Sequence, residues 1–366
     1  MVIEDLDTPC LLLDYDAMLN NITSTHQFII SSGKSIRAHV KAHKCSQLAK
    51  IQIENGAQGL CAATLSEAEK LFEKGFDNIL ITRPIVEKNK IQKVIQHLQQ
   101  GKNIIVVIDS GEIADIYDEM NSQSSKRLQI LLDIDVGFGR TGFLPESVHD
   151  IVSRIQNKKN LVVQGIQAYH GNVQHIQLYE ERKIQTLQSM QYAVEIFCEL
   201  KRRGFECEIF SGGGTGTHAI DVQIKELTEL QIGSYLLMDA QYLDVELYSE
   251  TSSPKLKPAL SVLTSVISDN NKNYVTVDAG LKSIYRDSPN PRVISKTDEN
   301  LNYEWFGDEY GRIIGKVHDD KFRLGTKIKI IPSHCDPTVN LYDKINLISD
   351  DKVLDIYPID LRGCNR

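Results

Sequence analysis

Arg37-Ala38-His39-Val40-Lys41-Ala42-His43-Lys44 puts a lysine directly after a short β-favouring segment, with His39, His43 and Lys44 close around it. A lysine at a strand end crowded by other cations is predicted to have a depressed pKa and to act as a nucleophilic amine. The plain alternative is a basic surface loop, which is what most charge runs are. The two readings separate on whether Ser35–Lys41 is the first strand of a repeating pattern.

Working outward, it is. After Ser35–Lys41 a helical run stops at Gly56, and Gly59–Ala62 reads as a second strand. Thr64-Leu65-Ser66-Glu67 matches a capping box and opens a helix with Ala68, Leu71 and Phe72 on one face. Asn78–Thr82, Asn103–Asp109, Leu128–Asp135, Leu161–Tyr169, Glu206–Phe210 and Gly233–Met238 continue the strands. Helical runs separate them, among them Glu87–Gln100, a helix from Pro145 and the long one around Tyr179–Arg203. The strands are continuous apolar runs, as a parallel sheet buried on both faces requires. Eight of them alternating with helices predict an α/β fold, an N-terminal (β/α)8 TIM-like barrel over residues 15–252. An open doubly wound sheet is disfavoured because no Gly-x-Gly-x-x-Gly opens an early helix. Beyond residue 255 the texture changes to β-like runs, turns and little helical periodicity. Residues 253–366, with 1–14, are assigned to a mostly antiparallel β domain.

Composition bounds the function classes. Of 366 residues 41% are hydrophobic and 25% charged, ordinary for a globular chain. A net charge of −8 without a basic block argues against nucleic acid as a partner. The N-terminus has no signal-peptide pattern, and no apolar run reaches transmembrane length. Seven scattered cysteines without a Cys-x-x-Cys pair read as reduced thiols. A cytoplasmic protein is expected.

In such a barrel, chemistry collects where strands end. The fifth strand runs into Asp135-Val136-Gly137-Phe138-Gly139-Arg140-Thr141-Gly142, whose glycines free Arg140 to approach a ligand. The sixth ends at Tyr169-His170-Gly171-Asn172-Val173-Gln174-His175. The seventh ends at Ser211-Gly212-Gly213-Gly214-Thr215-Gly216-Thr217, where amides and threonine hydroxyls suit a phosphate. The eighth opens Gly233-Ser234-Tyr235. In the β domain, His334-Cys335-Asp336 sets two metal-ligand types two residues apart, on one side of an extended segment and with Cys335 pointing away. The alternative for that motif is a turn opened by Asp-Pro.

These stretches, with Asp7-Thr8-Pro9, Glu229–Tyr242 and Ser333–Asn340, occur in an order that resembles the fold-type III pyridoxal-phosphate enzymes, the alanine racemase fold. More closely the chain resembles the D-threonine aldolase / D-serine dehydratase group. The resemblance implies that Lys41 forms the Schiff base with pyridoxal 5'-phosphate and that Arg140 contacts its phenolic oxygen. Tyr169 would lie at the pyridine nitrogen side, with Thr215, Gly216, Gly233, Ser234 and Tyr235 cradling the phosphate. His334 and Asp336 would bind a divalent metal (Mn, Zn or Mg), with His175 nearby as acid or base. Tyr310 stands where relatives often carry histidine. The implied activity is a lyase on D-β-hydroxy amino acids, with retro-aldol cleavage to glycine and an aldehyde. Asp336 favours that outcome, because the dehydratases tend to carry cysteine there. The competing outcome is dehydration of D-serine or 3-hydroxy-D-aspartate to a keto acid and ammonia. A cofactor-homeostasis protein and a metal-free racemase complete the alternatives. A homodimer is implied.

Overall fold

The computed structural model describes residues 1–144, 147–248, 255–294, 301–317 and 322–365. Strand β1 (Cys10–Asp14) leads into the helix Tyr15–Ser31 and then to β2 (Ser35–His39), β3 (Gly59–Ala62), β4 (Ile79–Ile81) and β5 (Ile104–Ile108). β6 (Leu128–Ile134), β7 (Leu161–Ala168), β8 (Ile209–Gly212) and β9 (Glu229–Leu230) follow. β2 to β9 pair in sequence order, all parallel, and β9 returns to β2 to close the barrel. Strand alternation divides the apolar residues. Cys61, Leu80, Ile105, Val107 and Leu131 fill the barrel with Ile209, while Leu60, Ile79, Ile81, Val106 and Ile130 join the core under the helices.

Two expectations fail locally. The first strand ends at His39, and Lys41 sits in a 3-10 turn, Val40–Ala42. The eighth strand is Glu229–Leu230, not Gly233–Met238, whose Ser234–Leu236 core is also a 3-10 turn. That run is apolar because it is buried, and burial does not require extended backbone. Between the last two barrel strands the helical segment is the short His218–Asp221. The start of the helix at Pro145 lies outside the described residues, as does the 252/253 boundary.

The second sheet contains β1 with β10 (Leu260–Ser268), β11 (Tyr274–Val277), β12 (Arg292–Ile294), β13 (Asn302–Trp305), β14 (Gly311–Ile314), β15 (Lys327–Ile331), β16 (Lys344–Ser349) and β17 (Lys352–Pro358). Its pairings are antiparallel except that of β1 with β16. It bears on the barrel mouth through the short helix Cys335–Val339, which contacts the turn that carries Lys41. Among the described residues no helix is long and apolar enough to cross a membrane, and all described cysteines are free thiols.

Candidate active site

The C-terminal ends of the barrel strands surround a cavity of about 330 Å³ lined by Lys41, Arg140, Tyr169, Thr215, Gly233 and Ser234, among others. Lys41 on its wall is ion-paired, its Nζ 2.7 Å from Asp336 Oδ2. Ser234 Oγ donates to the other carboxylate oxygen at 2.9 Å. The charge of Asp336 holds the lysine amine above its ordinary range against desolvation. Burial opposes the Asp336 charge, but Lys41 and His334 outweigh it and keep that carboxyl below the usual range.

The expectation of a depressed lysine pKa is thus overturned in this state, and the cause is instructive. Two of the three crowding groups are not cations. Desolvation pushes His39 well below its ordinary value and His43 down to about 4, so both are neutral at pH 7. Lys44, nearly buried, is bound to Glu67 at 2.9 Å. Of the two lysines only Lys41 faces the cavity.

The phosphate loop is built as a cradle. Gly213, at φ +72, turns the chain, and a Cβ on Gly214 or Gly216 would collide with Gln174. Asp221 stands behind the loop, accepting from Thr217 Oγ1 at 2.6 Å and from the Gly214 amide at 3.3 Å. Thr215 Oγ1 is buried without any partner. A buried hydroxyl left unpaired costs free energy, and an entering phosphate oxygen would relieve it. The residues present therefore fit the phosphate of the cofactor, with Lys41 on the same wall for its aldehyde. Arg140 lies over the rings of Phe138 and Tyr169, 4.9 and 5.3 Å from their centroids, which leaves its N–H groups to ligands.

Tyr235 is brought elsewhere. It is fully buried, donating to His26 Nε2 at 2.6 Å and accepting from Gln52 at 3.0 Å, so its side chain props the turn that carries Ser234. Ser234 lines the cavity but commits its hydroxyl to Asp336.

His334 and Asp336 do not lie along an extended segment. His334 caps the helix Cys335–Val339, which starts because Asp239 Oδ2 accepts from the Cys335 amide at 2.8 Å. Cys335 is buried with its Sγ 3.3 Å from Asp336 Oδ1. Among the described residues no group of three or more His, Cys, Asp and Glu side chains forms a metal cluster. The pair itself has a suitable donor set. Asp287 Oδ2 meets His334 Nδ1 at 3.1 Å, and this fixes the imidazole and leaves Nε2 for a cation. One imidazole and one carboxylate fit a divalent ion whose other sites hold water or substrate. His175 stacks on Tyr242 at 4.7 Å between ring centroids. Desolvation first, and His334 second, lower its pKa to about 4, so it is a neutral base at pH 7.

Sequence reasoning missed His39, Arg83, Gln167, Gln174, Gln231 and Tyr242, all of which line the cavity. Arg83 follows the third barrel strand and was within reach of the strand-end rule. Asp287 carried no signal, since its partner is 47 residues away.

Comparison with known proteins agrees with this fold. Residues 13–241 match the family described as alanine racemase, N-terminal domain, and residues 259–348 a putative serine dehydratase domain. The 3-hydroxy-D-aspartate aldolase of Paracoccus denitrificans (strain Pd 1222) is 33% identical over 365 residues, with 98% of this chain and 93% of the relative covered. A D-threonine aldolase from an Arthrobacter species is 31% identical over 363 residues, with 99% and 94% covered. The crystal structure of D-threonine aldolase from Filomicrobium marinum superposes with a TM-score of 0.93 at 31% identity, covering 100% of this chain and 98% of that one. With the fold, the lysine-bearing mouth and these likenesses in agreement, the chain belongs to the alanine racemase N-terminal domain family, in its branch with a serine dehydratase-like β domain.

Proposed function

We propose that this protein is a pyridoxal 5'-phosphate- and divalent-metal-dependent lyase that cleaves D-β-hydroxy amino acids to glycine and an aldehyde. The observation that carries it is the position of Asp336, which joins the Lys41 amine at 2.7 Å to the His334 motif and so sets a metal-ligand pair beside the cofactor's attachment point. The likeness to relatives named as aldolases supports the same reading.

In this reading Lys41 is the residue that bonds the cofactor. Thr215, Gly216 and Gly233 hold its phosphate, and Arg140 and Tyr169 border its ring. When bound, pyridoxal phosphate supplies an electron sink for the bond broken at Cα. A divalent metal held by His334 and Asp336 would lower the pKa of the substrate's β-hydroxyl. His175, neutral at pH 7, accepts that hydroxyl proton. Tyr169 and Tyr242 shield the site from bulk water. Lys41 in the same place could instead take the Cα proton, the step that dehydration requires.

The β domain also leaves Tyr285, Phe306 and Tyr310 exposed, and we assign these aromatics to a homodimer contact, to be checked by sedimentation.

Product analysis with D-threonine, D-serine and 3-hydroxy-D-aspartate tests the reaction. Glycine is the expected product, whereas a keto acid with ammonia would make the enzyme a dehydratase. The loaded protein is expected to absorb in the visible through its lysine adduct, and Lys41→Ala to lose that band. A wild type that stays colourless with added cofactor would sink the reading.

A further inference from the structure

Arg83 follows β4 and lines the cavity with an exposed side chain. Its root is held. The preceding Thr82 receives a hydrogen bond from Gln167 Nε2 on its carbonyl at 3.0 Å and shares one with His39 Nε2 through its hydroxyl at 3.2 Å. Pro84 follows and restricts the backbone. Its head is unclaimed. Lys41 is engaged by Asp336, and Arg140 rests on two rings with its N–H groups turned over to the cofactor and the α-carboxylate in the proposed reading. Arg37, buried on the first barrel strand, is bound by Glu229. Among the described residues, Arg83 has no carboxylate, carbonyl or ring partner.

A cavity guanidinium that the protein does not neutralise is available for an anion from outside. The phosphate is excluded by topology. Its cradle follows β8, four strands from β4 in an eight-stranded ring, and so lies across the mouth from Arg83. The α-carboxylate does not require Arg83 either. Arg140 presents several N–H donors in a fork, enough for the cofactor's phenolic oxygen and an α-carboxylate together. A monocarboxylic substrate therefore leaves Arg83 without a partner, and a dicarboxylic one supplies it.

Resting on the proposed lyase reading, we infer that Arg83 binds a second carboxylate on the substrate's side chain, and that the preferred substrate class is a β-hydroxy D-amino dicarboxylic acid rather than D-threonine. Arg83 is then a specificity-determining residue. Being exposed, it can be changed without opening the core.

The test compares wild-type holoenzyme with Arg83→Gln and Arg83→Lys on 3-hydroxy-D-aspartate and D-threonine. Wild type is expected to favour the dicarboxylate. In Arg83→Gln the ratio of the two kcat/KM values is expected to fall by about 10- to 100-fold, the range of one charge-assisted hydrogen bond. The loss falls mainly on KM, and Arg83→Lys restores part of it. A ratio unchanged in Arg83→Gln overturns the inference, since Arg83 would then contact something common to both substrates or neither. Calorimetric binding of D-malate, a dicarboxylate without an amine, reads the same contact without turnover. It is expected to weaken in Arg83→Gln, and equal binding to both proteins refutes the assignment. If neither amino acid is cleaved, the lyase reading fails while the malate measurement still decides the role of Arg83.

Discussion

Replacing Glu229 with alanine should open the barrel at its weakest seam. β9 has two residues, and each of its two pairings joins only two positions, Ser35 and Ile36 on β2 and Ser211 and Gly212 on β8. Flanking backbone bonds extend the seam by a few positions, Ser35 N–H to the Thr228 carbonyl, His39 N–H to that of Ile232 and Gln231 N–H to that of Gly212, and a buried side-chain bridge braces it. Arg37 reaches from β2 to Glu229 with Nε–Oε1 at 2.7 Å and Nη2–Oε2 at 3.0 Å, and its Nη1 donates to the carbonyl and Oδ1 of Asn78, both at 2.9 Å. The two side chains are 5% and 8% exposed. Gly59 is part of the device, since a Cβ there would come within 2.5 Å of Arg37 Nη1. Glu229→Ala leaves a buried guanidinium uncompensated, a loss of about 3–5 kcal/mol. With a urea slope of about 3 kcal/mol/M, the midpoint should fall by about 1–1.7 M. Arg37→Met combined with Glu229→Leu removes both charges and should recover most of the loss, because the penalty lies in the orphaned charge rather than in a missing attraction. Cofactor affinity should fall in the single variant as well, since β9 leads through Gln231 to Gly233 and Ser234. A midpoint shift below about 0.3 M in Glu229→Ala, or a double variant less stable than the single, would refute the reasoning.

Three further outcomes are expected. Gly216→Ala puts a Cβ 1.9 Å from the Gln174 carbonyl oxygen; the backbone must move, and about 1–3 kcal/mol of strain should weaken cofactor binding in an absorbance titration by about tenfold or more. Burial pushes the Asp221 carboxyl up to about 7 against the pull of Thr217 and Gly214. A raised carboxyl favours the folded state at low pH, where it is protonated, and that stability is lost as pH rises from about 4 to about 7; Asp221→Asn should flatten this interval by up to about 1.4 kcal/mol per pH unit, read from denaturation midpoints. Chelation should remove activity, and Asp287→Ala should weaken metal binding by about 10- to 100-fold by freeing the His334 ring, so an unchanged affinity by calorimetry would place the cation elsewhere.

Apolar runs between helical stretches made the barrel readable, because a parallel strand buried on both faces has no other composition available to it. The strand-end rule then found Lys41, Arg140, Tyr169 and Thr215, all at the cavity wall. It failed at β9, since two residues have no periodicity and the neighbouring apolar run is a buried turn. It also failed for charge. Adjacent His39 and His43 read as cations, but protonation depends on burial, a property of the whole fold.

By itself, then, the sequence determined the architecture and the types of chemistry at hand, because hydrophobic period and residue type are local. Only the tertiary structure decided which groups meet. It set Asp336 against Lys41 across 295 positions, and Asp287 behind His334. It turned Tyr235 inward and left Arg83 facing the cavity with no acid beside it. These are facts of distance and solvation, which arise only when strands far apart in the chain end at the same mouth.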